Sequence, residues 1–237
     1  MNSLEGKAIY LTGASRGIGR ALALRCAKDR AALVLCGRDR KALDGLGKEV
    51  KALGASRVHL KAFDLAEERA ILQFLEEARE AVGPPEILIN NAGFNPRKAL
   101  LTDVTTEEFD AILAVNLRAP FILAREALRD MVRSGKGHIV NVLSTVCHFA
   151  NETMGAYTAA KKGLEGLAGV LLKEARAHGV RVSSIYPGGT DTTFRASRRA
   201  DYMKAESVAE AIHAVLTLPE DVVTHAFTFR PMVETNF

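Results

Sequence analysis

Lys7-Ala8-Ile9-Tyr10-Leu11-Thr12-Gly13-Ala14-Ser15-Arg16-Gly17-Ile18-Gly19 is the stretch on which the fold turns. An unbroken apolar run from Ala8 to Leu11 gives way to three glycines, and then to a helical pattern that continues to Asp29. A strand that is apolar throughout, rather than at alternate positions, is buried on both faces and belongs in a parallel sheet between helix layers. Glycines between such a strand and a helix let the backbone approach a pyrophosphate, while the helix N-terminus presents N–H groups to the anion.

The same unit repeats along the chain. Further strands are expected at 32–36, 58–63, 86–90, 137–143, 180–186 and 224–229. Helices are expected at 38–53, 66–82, 106–133, 155–178 and 206–218. Gly83-Pro84-Pro85 reads as a helix stop before a strand, not a linker, and no repeat or low-complexity tract interrupts the pattern. The fold class predicted is α/β: one doubly wound Rossmann domain over residues 1–237, with about seven parallel strands between two helix layers.

Composition narrows the function. In 237 residues, 48% hydrophobic and 25% charged, the net charge is only +4, and the densest basic run, Arg195 to Arg199, holds three arginines. Nucleic-acid binding would need a concentrated basic face, so a basic pocket for a phosphorylated cofactor accounts better for the charge. Cys26, Cys36 and Cys147 form no CxxC and leave one unpaired in any disulfide scheme, which fits a reducing compartment. No apolar run reaches the ~18–20 residues of a membrane span, and the first residues lack a signal-peptide layout, so the expected location is cytoplasmic. The six histidines show no HExxH spacing, and no catalytic metal is expected.

Tyr157 and Lys161 are four residues apart, about one helical turn, so on a helix they share a face. Ser144 closes the fifth strand. A phenol beside an ammonium, with a hydroxyl at a strand end and a glycine-rich turn, suits hydride transfer between a nicotinamide and a carbonyl. The phenol, with an ordinary pKa of about 10, needs the nearby ammonium to favour its anion before it can work as an acid–base group near neutrality. Ser144 would donate to the substrate oxygen. Cofactor choice is set at the end of the second strand, where an acid would bond a ribose 2′-hydroxyl and a base would accept a 2′-phosphate. Arg38 stands there, with Arg16 inside the glycine turn, and the pair favours NADP (NADPH) over NAD. Asp39 keeps NAD open, because a strand end shifted by one residue would bring its carboxylate into play.

Taken together, these residues resemble the short-chain dehydrogenase/reductase family over about the first 190 residues. The shared motifs are TGxxxGxG at Thr12 to Gly19, NNAG at Asn90 to Gly93, Asn116, Ser144, YxxxK at Tyr157 and Lys161, and Pro187-Gly188 with Thr192 following. Similarity extends to 3-oxoacyl-(acyl-carrier-protein) reductases and to members acting on small ketones or hydroxy acids. The resemblance implies a catalytic set of Asn116, Ser144, Tyr157 and Lys161, in which Asn116 anchors a water that links Lys161 to solvent. For the cofactor it implies Gly13, Ser15, Arg16, Gly17, Ile18 and Gly19 at the phosphates, with Arg38, Asp64 and Leu65 at the adenosine. Asn90, Ala92 and Gly93 would sit beside it, and Tyr157, Lys161, Pro187, Gly188, Thr190 and Thr192 would surround the nicotinamide end. It also implies assembly as a homodimer or homotetramer, and Gly163, Gly166 and Gly169 at every third position would suit either close helix packing between subunits or packing within one.

Phe94, Cys147, His148, Phe149, Met154 and Phe194 are the candidates for the substrate pocket. A general-base role for His148 is disfavoured because Tyr157 and Lys161 already fill it. Leu143-Ser144 stands where the family often has Ser-Ser. The segment 191–207 that would cover the substrate is short, and Arg195, Arg198 and Arg199 in it could attract an anionic substrate or carrier. Candidate substrates are 3-oxoacyl thioesters, small ketones and 3-hydroxy acids, with no nucleic acid or membrane partner. The rival to an enzyme is a silent NADP(H)-sensing protein on the same fold.

Overall fold

The structure, a computed structural model, describes residues 3–194 and 198–235. Arg195, one of the candidate anion-attracting residues, lies outside them. Seven strands form one sheet: β1 (Ala8–Thr12), β2 (Ala32–Gly37), β3 (Arg57–Ala62), β4 (Ile87–Asn90), β5 (Gly137–Val142), β6 (Val180–Pro187) and, last in the chain, β9 (Ala226–Phe229). Their spatial order is β3-β2-β1-β4-β5-β6-β9, and every neighbouring pair is parallel. The order reverses between β1 and β4, and in sheets of this kind the crevice beyond the carboxyl ends at that reversal is where ligands bind.

The inner strands are largely apolar because both faces are covered. Ile9, Leu11, Leu33, Leu35, Ile89, Val140 and Ile185 pack with Leu22, Cys26, Leu43, Val50, Val208 and Ile212. Those partners come from α1 (Gly17–Lys28), α2 (Arg40–Ala52) and α7 (Ala205–Leu216). The alternate residues Tyr10, Val34, Leu88, Ile139 and Val182 pack on the other face with Ile71, Phe74, Ile122, Met131 and Ala175. These belong to α3 (Glu68–Ala81), α5 (Ala119–Ser134) and α6 (Gly155–Arg176). Each large aliphatic side chain buried this way contributes about 1.5–3 kcal/mol. Cys26 and Cys36 are both fully inside, as small core residues.

Two features depart from the expected pattern. The helix expected over 106–133 is broken into α4 (Thr106–Leu113), a π-helical turn over Ala114–Arg118, and α5. The segment 191–207, expected as a short cover over the substrate, begins in one short strand, β7 (Thr190–Asp191), carries a second parallel to it, β8 (Met203–Lys204), and its last three residues open α7. Apolar spacing reveals neither: the π turn is only five residues, too short to set a period of its own, and a two-residue strand has none. Of the three helix glycines, Gly163 packs inside the subunit, where an added Cβ would lie 3.0 Å from Leu117, while Gly166 and Gly169 face open space.

Candidate active site

The carboxyl ends of β1, β2, β4, β5 and β6 border one cleft of about 1290 Å³. One end of it is the turn from Gly13 to Gly19. Gly13 has φ +68° and Gly17 φ +55°, where glycine alone is unstrained. Close approach requires the glycines too: a Cβ on Gly13 would sit 2.8 Å from Ala92 Cα, and one on Gly19 would sit 2.3 Å from the Gly13 carbonyl oxygen. The α1 helix begins at Gly17 with Arg16 at its N-cap, no side chain satisfies the cap, and the first turn carries no acid. Its leading N–H groups and positive dipole end are therefore left for an anion. Ser15, Arg16, Ile18 and Gly19 line the cleft beside them.

β2 ends at Gly37, so Arg38 follows at the lip of the cleft with its guanidinium 5.5 Å from the Phe94 ring centre. Asp39 also borders the cleft, and its Oδ1 caps α2 by accepting from the Ala42 N–H at 2.9 Å. Asp64 likewise accepts from the Ala66 N–H at 2.9 Å, and both Asp64 and Leu65 border the cleft. A neutral glycine cradle with arginines and a bare helix N-terminus is a donor set that suits a phosphorylated dinucleotide.

Ser144, Tyr157 and Lys161 line the same cleft. Ser144 sits in extended geometry just beyond β5, and its Oγ accepts from the Val146 N–H at 3.3 Å, capping a 3-10 turn over Thr145–Cys147. Tyr157 and Lys161 lie in the first two turns of α6, and the Lys161 Nζ is 5.8 Å from the Tyr157 ring centre. The tyrosine ring also packs against Phe194, 5.8 Å between centres. Lys161 is 2% exposed, and its Nζ donates to the Val142 carbonyl at 2.8 Å. Burial pushes its pKa down to about 8.

Asn116 lies in the π turn, fully buried behind the cleft wall. Its Nδ2 donates to the carbonyls of Phe94 at 2.7 Å and Ile112 at 2.8 Å, and its Oδ1 accepts from the Phe94 N–H at 3.1 Å. The wider turn thus lets Asn116 tie the loop after β4 to the helix that faces α6. π turns of this kind recur at functional sites.

Several candidates occupy other places. Asn90 is buried between sheet and helix, donating to Asn141 Oδ1 at 2.9 Å, and it does not border the cleft. The cleft residue of that pair is Asn91, whose Nδ2 donates to the Thr12 carbonyl at 2.9 Å. Successive residues at a strand end point to opposite sides, and the paired asparagines in the motif were the available signal. Ala92, Gly93, Pro187, Gly188, Thr190 and Thr192 do border the cleft.

Of the candidates for the substrate pocket, Phe94, Met154 and Phe194 line it, and Cys147, His148 and Phe149 do not. Cys147 is buried among Leu143, Leu164 and Tyr186. His148 stacks on Tyr186 at 4.5 Å and meets the Thr228 hydroxyl at 3.2 Å, on the outer side of the 3-10 turn. Phe149 lies beneath the Arg230 guanidinium. Arg198 is 97% exposed at its side chain, and Arg199 pairs with Asp201 at 2.8 Å. Tyr202, Arg230 and Glu234 also line the cleft, far from any motif that would have singled them out. Among the described residues no helix is long and apolar enough to cross a membrane, and no group of acidic, histidine and cysteine side chains could hold a metal ion.

Known proteins are similar to this chain in sequence and fold. A family model for short chain dehydrogenases matches residues 7–203. The 3-oxoacyl-(acyl-carrier-protein) reductase FabG of Pseudomonas aeruginosa is 32% identical over 190 residues, 80% of this chain and 76% of that protein. A metagenomic short-chain oxidoreductase solved with NADP is 32% identical, with a TM-score of 0.87 over 98% of this chain and 100% of that one. An alcohol dehydrogenase from the archaeon Thermococcus sibiricus, solved with 5-hydroxy-NADP, is 27% identical, with a TM-score of 0.91 over 98% and 99%. A parallel sheet reversing between β1 and β4, its glycine turn, and a family match over most of the length agree: this chain is an oxidoreductase of the short-chain dehydrogenase/reductase family.

Proposed function

We propose that the protein is an NADP-dependent reductase of carbonyl compounds, or in reverse a dehydrogenase of secondary alcohols. The observation that carries the reading is that Ser144, Tyr157 and Lys161 line one cleft together with a bare helix N-terminus, Arg16 and Arg38. NADPH, when bound, supplies the hydride. Arg38 and Arg16 favour a 2′-phosphate, and the Oδ1 of Asp39 is engaged in capping α2. NADP in the two solved relatives supports the same choice.

The chain's own residues would manage the proton. Ser144 accepts a backbone N–H, which leaves its hydroxyl proton for the substrate oxygen, where negative charge develops. Tyr157 delivers the proton to that oxygen. Lys161, held by the Val142 carbonyl, offsets the phenolate left behind, and its lowered pKa sets it close to the protonation balance near neutrality. Asn116 holds the wall behind them and belongs to the path by which Lys161 regains a proton. The exposed face of α6 around Gly166, Leu167, Gly169 and Val170 favours assembly with further copies of the chain.

Tyr157→Phe tests the reading. The variant is expected to bind NADPH like the parent while its kcat for carbonyl reduction falls by roughly 10²–10⁴-fold, the usual span for a lost general acid. Reduction at the parental rate would overturn the mechanism. A parent that binds NADPH yet turns over no carbonyl in a broad panel would point instead to the sensor.

A further inference from the structure

Residues 230–235 fold back from β9 and place Arg230, Val233, Glu234 and Thr235 on the cleft wall. There they meet the turn at Gly188 and Gly189, whose four backbone polar groups are all engaged. The Gly188 N–H donates to the Phe229 carbonyl at 2.9 Å, and the Gly188 carbonyl accepts from the Thr190 hydroxyl at 3.1 Å. The Gly189 carbonyl accepts from the Met203 N–H at 3.1 Å. The Gly189 N–H donates to Glu234 Oε1 at 3.0 Å, a side chain 45 residues downstream. Glu234 Oε2 accepts from Arg230 Nε at 3.0 Å, in a pair only 10% and 16% exposed. The Arg230 guanidinium rests over Phe149, 4.7 Å from the ring centre.

Turn and carboxylate fit closely. A Cβ on Gly188 would come within 2.5 Å of Glu234 Oε2, and one on Gly189 within 2.8 Å of Oε1 and 2.4 Å of the Tyr202 ring. The turn in turn aims two cleft residues. Thr192 packs against the glycine cradle, 3.4 Å from where a Cβ on Gly17 would lie, and the Phe194 ring packs on Tyr157. A movement of Gly189 would therefore be felt at both the phosphate end and the tyrosine end.

We propose that Glu234 is a positioning residue: its carboxylate holds the Gly189 N–H and so fixes the turn that places Thr192 and Phe194 for cofactor and substrate. The kinetic consequence rests on the carbonyl-reductase reading; the structural one does not. The test compares the parent, Glu234→Ala and Glu234→Gln in three measurements. These are amide hydrogen exchange at Gly189 without cofactor, NADPH binding by fluorescence titration, and kcat and KM for carbonyl reduction. Glutamine keeps an acceptor for the Gly189 N–H. Losing a charge-assisted bond should speed Gly189 exchange and weaken NADPH binding by roughly tenfold in Glu234→Ala, with KM for NADPH moving more than kcat. Glu234→Gln should keep both within about threefold of the parent. Unchanged Gly189 exchange and NADPH affinity in Glu234→Ala would overturn the proposal. So would a glutamine variant as impaired as alanine, because the effect would then belong to the charge pair with Arg230. If the alanine variant does not fold, retention of Gly189 protection in Glu234→Gln decides the matter. A parent without carbonyl turnover would remove the reductase reading and leave the exchange comparison standing.

Discussion

Arg38 and Asp39 are neighbours with different work. The arginine stands past the end of β2 at the cleft lip, and the aspartate, also on the cleft, caps a helix through one carboxylate oxygen. Replacing Arg38→Asp would remove the cation and add a carboxylate where a 2′-phosphate would lie. KM for NADPH should rise by roughly 10–100-fold, the worth of a charge-assisted contact, while KM for NADH stays level or falls; steady-state kinetics with both cofactors reads this directly. At this scale the sequence told most about residues tied to motifs: Tyr157, Lys161, Ser144 and the glycines could be placed from spacing alone. It told least about residues whose role depends on which way a side chain turns. Asn90 and Asn91 differ only in strand parity, and His148 and Phe149 follow a 3-10 turn that takes them off the wall. Glu234 reaches Gly189 through a fold-back after β9, which leaves no periodic trace in the sequence.

Among the elements, α2 owes its start to Asp39 and α4 to Thr105, which accepts from the Glu108 N–H while Glu108 reaches back to the Thr105 N–H. Asp39→Ala should cost about 1 kcal/mol in unfolding free energy, as lost N-caps do, and leave the NADPH-to-NADH preference in place. Denaturant melts and cofactor kinetics on the one variant check both halves; a swing in preference would restore Asp39 to the ribose. Strands and helix order were legible because a strand buried on both faces has a plain apolar signature. The π turn at 114–118 was not, since five residues inside a longer helical run are too few to show a period of their own. Yet it is what brings Asn116 to Phe94.

Over the whole molecule, the sheet has two unlike ends. At the amino end, buried His138 meets Ser183 Oγ at 2.8 Å, and Ser183 donates to the Thr224 carbonyl at 2.6 Å. With the serine proton so used, the imidazole proton must sit on Nε2, and Nδ1 is left without a partner in the structure. Burial, reinforced by Arg181 and Lys7, pushes the pKa of His138 down to about 3. The folded state thus refuses a proton that the unfolded chain accepts near pH 6.5. No penalty exists above that pH; below it, stability should fall by about 1.4 kcal/mol per pH unit towards pH 3 from this group. Urea unfolding between pH 6.5 and 4.5 should show a shallower slope in His138→Gln than in the parent. The carboxyl end has a different character. With every strand of that sheet parallel, the crossover helices begin at that end, and α1 and α6, whose starts border the cleft with no side-chain cap and no acid in the first turn, turn their positive poles into it. The backbone alone makes this mouth a catchment for negative charge, drawing a polyphosphate inward before any side chain has touched it.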